Sequence, residues 1–276
     1  MIHCKELNKD FSTKQELFKA LKENKDFIIN AKKSQIYKSI EKGTSLNVSQ
    51  ESVKKMLSAC KSVEIDENYY YFVVNSSRVL DSHKDVHLDN NWEKTVKEQQ
   101  GRVYLVFDHQ LKRSEIIAMK EDIEMFTATI PFSMIGKDYV GETYVLIYKV
   151  RKDKIVNEEA KQWLEKGYSF EASVRMQYMD IVFCLKSDAE EDKKERENYD
   201  KIYPIIANKE EFEQDEELYY FWGVRQAKNV MESSLVMFGS NSATGQLQEN
   251  KIEPSQDTQQ TKEAVKVDTS HDYLLI

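Results

Sequence analysis

SFEASVRMQYMDIVFCL, Ser169 to Leu185, is the stretch on which the fold turns. Its first half, SFEASVRMQ, alternates in period two, the pattern of a strand with one buried face. Its second half, DIVFCL, is a short apolar run that either prolongs that strand or forms its neighbour. Working outward, Asn157 is positioned to cap a helix EEAKQWLEK that Gly167 closes. Further upstream lie YYYFVVNSSRV from Tyr69, RVYLVF from Arg102, EIIAMK from Glu115 and MFTATI from Met125. These are rich in the β-branched and aromatic residues that suit a pleated surface. The last three, closely spaced with polar connections, predict an antiparallel meander. ETYVLIYKV, from Glu142, fits strand and helix equally. Downstream, LYYFWGV and SSLVMFG read as two strands with a helix or turn between them.

Helices are expected around this β-rich centre. Ser12 is the expected N-cap of a helix whose Leu17, Phe18 and Leu21 form one apolar stripe. A weaker helix is expected from Ser49 to Cys60, and another over WEKTVKEQQ, stopped by Gly101. The pattern divides the chain into a helical N-terminal extension over 1–62, a central domain over 63–243 and a polar tail over 244–276, expected to be disordered. Within the centre, 186–217 is an acidic insertion dense enough in charge to be a solvated loop or exposed helix. The class that follows is α+β.

Composition narrows the function. The 276 residues carry a formal net charge of −8, which disfavours a general nucleic-acid or anionic-membrane surface. No apolar run approaches the roughly 20 residues that span a bilayer, and MIHCKELNKD lacks the apolar core of a signal peptide. Cys4, Cys60 and Cys184 are far apart with no CxxC pair, against both a disulfide framework and a zinc site. The expectation is a soluble intracellular protein with reduced thiols. P-loop, GxGxxG, HExxH and GxSxG motifs do not occur, and only 8 glycines argue against a glycine-cradled phosphate site. His83 and His87 have the i, i+4 spacing of helical metal ligands, but they lie in the turn-like DSHKDVHLDNN and read as part of a capped polar loop.

His109 poses the sharper question, because RVYLVF is a buried-strand pattern that ends by presenting Asp108 and an imidazole. A nucleophilic serine needs a base, and the base needs a third group to hold its tautomer. Neighbouring strands can assemble the three: His109 ends one, Ser169 begins another, and Glu232 precedes a third. Each also reads as an ordinary surface or strand-end residue.

DSHKDVHLDNNWEKTV, FDHQ, GYSFEAS and MESSLVMFGSNSA, in that order, resemble the prohead (capsid maturation) serine proteases of tailed bacteriophages. The likeness covers roughly residues 70 to 243 and rests on the order of its motifs. Asp81, Asp85 and Trp92 match an opening turn and small helix, and Asp108 with His109 matches the strand end that delivers the catalytic His. Ser169, Phe170, Glu171 and Ala172 match the serine motif; Glu232, Ser234, Leu235 and Val236, then Asn241 and Ala243, match the late strand and turn. The resemblance implies a mostly antiparallel β-barrel flanked by helices, like the herpesvirus assemblins. It implies catalytic His109, Ser169 and Glu232, no cofactor and no metal. Major capsid and scaffold proteins become the expected substrates, further copies of the chain its partners, and the assembling prohead in the host cytoplasm its location. Oxyanion donors would be backbone N–H groups, with Arg175 assisting, and Asp108 is expected to point away from His109. Glu171 stands where the family has glycine and Ser240 where it has proline. These departures motivate a second reading, a non-catalytic scaffold or core protein of the same fold. Ser173, four residues after Ser169, is a rival nucleophile on the same strand face.

Overall fold

The structure, a computed structural model, describes residues 1–39, 66–135, 137–168, 170–213 and 217–236. Its strands in chain order are β1 (Ile2–Cys4), β2 (Lys9–Phe11), β3 (Tyr37–Ser39), β4 (Tyr69–Ser76), β5 (Asp85–His87), β6 (Tyr104–Phe107), β7 (Ile116–Ala118), β8 (Ile123–Pro131), β9 (Glu142–Arg151), β10 (Glu171–Leu185) and β11 (Tyr220–Val236). The class is α+β.

DIVFCL continues SFEASVRMQ, so β10 is a single 15-residue strand. It pairs antiparallel with β11 from Glu171↔Val236 to Leu185↔Tyr220. LYYFWGV and SSLV are likewise one strand. What separates them is a bulge, not a helix or turn: Met176 faces Asn229 and Val174 faces Ser233, so Arg175 alone opposes Val230, Met231 and Glu232. Bulges of this kind bend the strand and re-aim its side chains. The other edge of β11 is shared by two parallel partners, β5 at Trp222–Val224 and β6 at Glu232–Leu235. β7 lies beyond β6, and β3 pairs with the outer edge of β10 at Val174–Met176.

The closed barrel that the resemblance implies is not found among the described residues. The large sheet is open at β3 and at β7, while β4, β9 and β8 form a second, antiparallel sheet. The expected meander breaks at the same place, since β7 pairs with β6 but β8 turns to β9. ETYVLIYKV is the strand β9; it lies between β4 and β8 and is buried on both faces, so its sequence shows no alternation.

The N-terminal segment, expected as an extension, packs on the core over its described part. Residues 1–39 belong to the body: Cys4, Phe11, Leu17, Phe18, Leu21 and Ile28 join the core that holds Leu105, Val174, Trp222 and Leu235. An apolar stripe on a short helix is marginal alone and gains its stability from packing. The Ser49–Cys60 helix and the tail fall outside the described residues. The N-cap of the first helix, Lys14–Glu23, is Thr13 rather than Ser12, because Thr13 Oγ1 accepts from Glu16 N at 3.2 Å. Asn157 caps Glu158–Glu165 as expected, accepting from Ala160 N at 2.9 Å.

The charged insertion is more than a solvated loop. Its helix Lys193–Ile202 buries Tyr199 and Ile202 beside Val182, Cys184 and Phe221. Gly223 makes this docking close: a Cβ there would lie 3.0 Å from both Ile202 Cδ1 and Val182 Cγ2. Charges at the remaining helix positions keep their hydration while one apolar edge packs.

Candidate functional site

Strand β6 delivers His109 by an abrupt change of backbone. Asp108 and His109 have φ of 46° and 56°, both in the left-handed region, which costs an L-residue on the order of 1–2 kcal/mol. Hydrogen bonds hold the turn: Asp108 N donates to Leu235 O at 3.1 Å and His109 N donates to Ser234 Oγ at 2.9 Å. Asp108 itself is exposed.

The imidazole then meets two partners. Nδ1 lies 2.9 Å from Glu232 Oε1, and Nε2 lies 2.8 Å from Ser173 Oγ. A carboxylate oxygen can only accept, so Nδ1 carries the proton of the neutral ring and Nε2 is left to accept from the Ser173 hydroxyl. The His109 and Glu232 side chains are 4% and 0% exposed, and Ser173 is 0% exposed. Solvent competes little with either hydrogen bond.

Glu232 reaches this position through the β11 bulge. Met231 takes a φ of 73° there, and Asn229 closes the bulge from within. Its Nδ2 lies 2.8 Å from Tyr148 Oη, 3.1 Å from Glu232 O and 3.3 Å from Ser233 Oγ. Burial pushes the Tyr148 phenol up; the Ser233 hydroxyl works against that and the Glu232 charge adds to it, so Tyr148 stays neutral. Glu232 Oε2 is buried without a hydrogen-bond partner among the described residues.

The structure thus brings His109 and Glu232 together, and the hydroxyl it supplies is Ser173. Ser169 lies outside the described residues. In sequence, the SFEA match and the place at the strand start favour Ser169. Ser173 stands opposite Ser234, a pairing that is invisible before β10 and β11 are aligned. Asn229 and Tyr148 gave no signal in the sequence, because their role depends on the bulge. Arg175, two residues beyond Ser173 on the same strand, has its Nε buried with no acceptor among the described residues.

His83 and His87 stand apart from this site. Asp81 and Asp85 form a tight turn in which Asp81 Oδ1 accepts from His83 N at 2.7 Å and Asp85 N at 2.8 Å. Lys32 Nζ lies 2.5 Å from Asp85 Oδ1, tying the helix Lys25–Ser34 to the turn. Burial, with the charge of Asp81 adding to it, outweighs Lys32 and pushes Asp85 up to about 8. His87 is buried beside Trp92, its Nδ1 2.7 Å from Asn91 Nδ2, and burial pushes it down to about 4.

Comparison of the chain with the models of known protein families, with curated proteins and with solved structures found no match.

Proposed function

We propose that the chain is a serine endopeptidase acting in phage prohead maturation, with Ser173 as nucleophile, His109 as base and Glu232 as the group that orients and charge-stabilises the imidazole. One observation carries the reading: His109 is hydrogen-bonded at 2.9 Å and 2.8 Å to a carboxylate and to a serine hydroxyl through opposite ring nitrogens. Nε2 takes the hydroxyl proton as Ser173 Oγ bonds to the scissile carbonyl carbon. It passes that proton to the leaving amine as the C–N bond breaks, and water then hydrolyses the acyl ester by the same relay in reverse. Arg175 and backbone N–H groups are the donors available to the oxyanion. The sequence resemblance supplies the biological half of the proposal: capsid and scaffold proteins as substrates, self-association, and the assembling prohead in the host cytoplasm as the location. Among the described residues no helix is long and apolar enough to cross a membrane.

A second reading draws on burial. With Ser173 and Glu232 fully inaccessible, the same three groups also suit a non-catalytic prohead scaffold in which they tie strands together. Co-expression with the capsid and scaffold proteins, followed by intact-mass analysis and fluorophosphonate labelling, separates the two. Cleavage and labelling in wild type and Ser169→Ala, with both lost in Ser173→Ala and His109→Ala, are expected of the peptidase. Loss in Ser169→Ala instead moves the nucleophile to Ser169, and neither cleavage nor label in wild type leaves the scaffold.

A further inference from the structure

We infer that Ser234 is a positioning residue of this site: its hydroxyl fixes the His109 main chain and so sets the imidazole between Glu232 and Ser173. The inference rests on the peptidase reading above. Three serines lie buried where β10, β11 and β6 meet, and their surroundings differ. Ser173 Oγ faces His109 Nε2, and Ser233 Oγ faces the Asn229 amide. Ser234 Oγ accepts from His109 N at 2.9 Å, and its single proton is directed at two carbonyls, Val106 O at 3.1 Å and Leu235 O at 3.2 Å. This hydroxyl therefore links β11, β6 and the His109 turn that follows β6, and its proton is engaged by main chain instead of a base.

The link matters because of the backbone it restrains. The β6–β11 ladder ends at Leu235↔Phe107, and beyond it two consecutive non-glycine residues hold positive φ. An L-residue leaves that region unless neighbouring bonds keep it there. Asp108 is kept by Leu235 O, a main-chain acceptor that no substitution removes. His109 N is held by the Ser234 side chain, an acceptor that one oxygen atom decides. Ser234 is 0% exposed, so water does not replace that oxygen when it is lost. The ring projects away from the main chain, so a small backbone rotation becomes a larger displacement at Nε2, the atom that must meet Ser173.

The test compares wild type, Ser234→Ala and Ser234→Thr as purified full chains, each checked for fold by circular dichroism. Two quantities are read: the rate at which a fluorophosphonate acylates Ser173, and the downfield NMR resonance of the His109 Nδ1 proton shared with Glu232. Ser234→Ala is expected to acylate about 100-fold more slowly, the scale of a misplacement near 1 Å, and to lose or shift that resonance, while Ser234→Thr restores both. Wild-type rates in Ser234→Ala overturn the inference, as does slower acylation with an unaltered resonance, which marks a general loosening. If wild type takes no label, the peptidase reading is what fails. The resonance alone then judges Ser234, with its retention in Ser234→Ala counting against the role.

Discussion

His87 and His109 are alike in almost everything except their partners. Each is inaccessible to solvent or nearly so, each belongs to a segment that pairs in parallel with β11, and each has a polar side chain against Nδ1. At His87 that partner is the amide nitrogen of Asn91, a donor, so Nδ1 is bare and the ring proton sits on Nε2, which has no acceptor among the described residues. At His109 it is a carboxylate oxygen, so Nδ1 holds the proton and Nε2 faces a hydroxyl. Among the described residues the first ring has no acceptor for its proton, and burial disfavours a positive charge on it. The second has a proton to accept and a charge opposite to the one it would gain. On the proposed reading, what distinguishes a general base from an inert buried histidine is the carboxylate at Nδ1.

The largest test of that contrast turns one histidine into the other. Glu232→Gln keeps a hydrogen-bonding group beside His109 but removes the charge and offers an amide, as Asn91 does at His87. Acylation of Ser173 is expected to fall about 10⁴-fold, the scale seen when a triad carboxylate becomes an amide. A fall of less than tenfold in the fluorophosphonate rate would show that the carboxylate is dispensable. The reverse exchange is smaller. Asn91→Asp places an acceptor and a negative charge at His87 Nδ1, and is expected to raise its pKa from about 4 by about one to three pH units. Titration of the His87 ring signals by NMR reads the change directly. A ring that stays neutral below pH 5 would mean that burial dominates whatever the partner is.

Much of this contrast was hidden in the sequence, for reasons that individual residues make plain. RVYLVF and SFEASVRMQ announced β6 and the start of β10 by composition and period, and Asn157 announced its helix by its cap. His109 and Glu232 stood out because each ends or enters a strand pattern. Ser173 did not outrank Ser169, because period two places i and i+4 on one face, and the pairing that sets Ser173 opposite Ser234 is not written in the sequence. The bulge that delivers Glu232 lies in QAKNVMESS, which contains no glycine, so local propensity does not mark it. Leu17, Phe18 and Leu21 gave their stripe correctly, yet a stripe does not name what it packs on, so the N-terminal segment reads equally well as an extension. Density of charge misled in the same way at Lys193–Ile202, where two apolar residues suffice to dock the helix.

The smallest effect concerns the surroundings of His87, and its sign follows from proton counting. Asp85 is pushed up from its ordinary 3.8 to about 8 when folded, so between those values the native chain holds a proton that the unfolded chain has released. Stability supplied by Asp85 is therefore complete below its unfolded value and is lost as pH rises toward 8. Asp81, also pushed up by burial, acts in the same sense. His87 is pushed down from 6.5 to about 4, so between those values the unfolded chain binds the extra proton and stability falls as pH is lowered. From about pH 4 to 6.5 the two slopes oppose each other; from 6.5 to 8 only the carboxylates remain. Urea unfolding of wild type is therefore expected to show a shallow dependence in the lower window and a decline in the upper one, at most about 1.4 kcal/mol per pH unit for each titrating group. Asp85→Asn leaves Lys32 beside Glu6 at 4.0 Å and the His83 carbonyl at 3.2 Å. It is expected to weaken the upper decline, with Asp81 supplying what remains and still opposing the His87 slope below pH 6.5. Wild-type stability that rises between pH 6.5 and 8 would place the charge on Asp85 rather than the proton, and would make Lys32 the stronger influence in that turn.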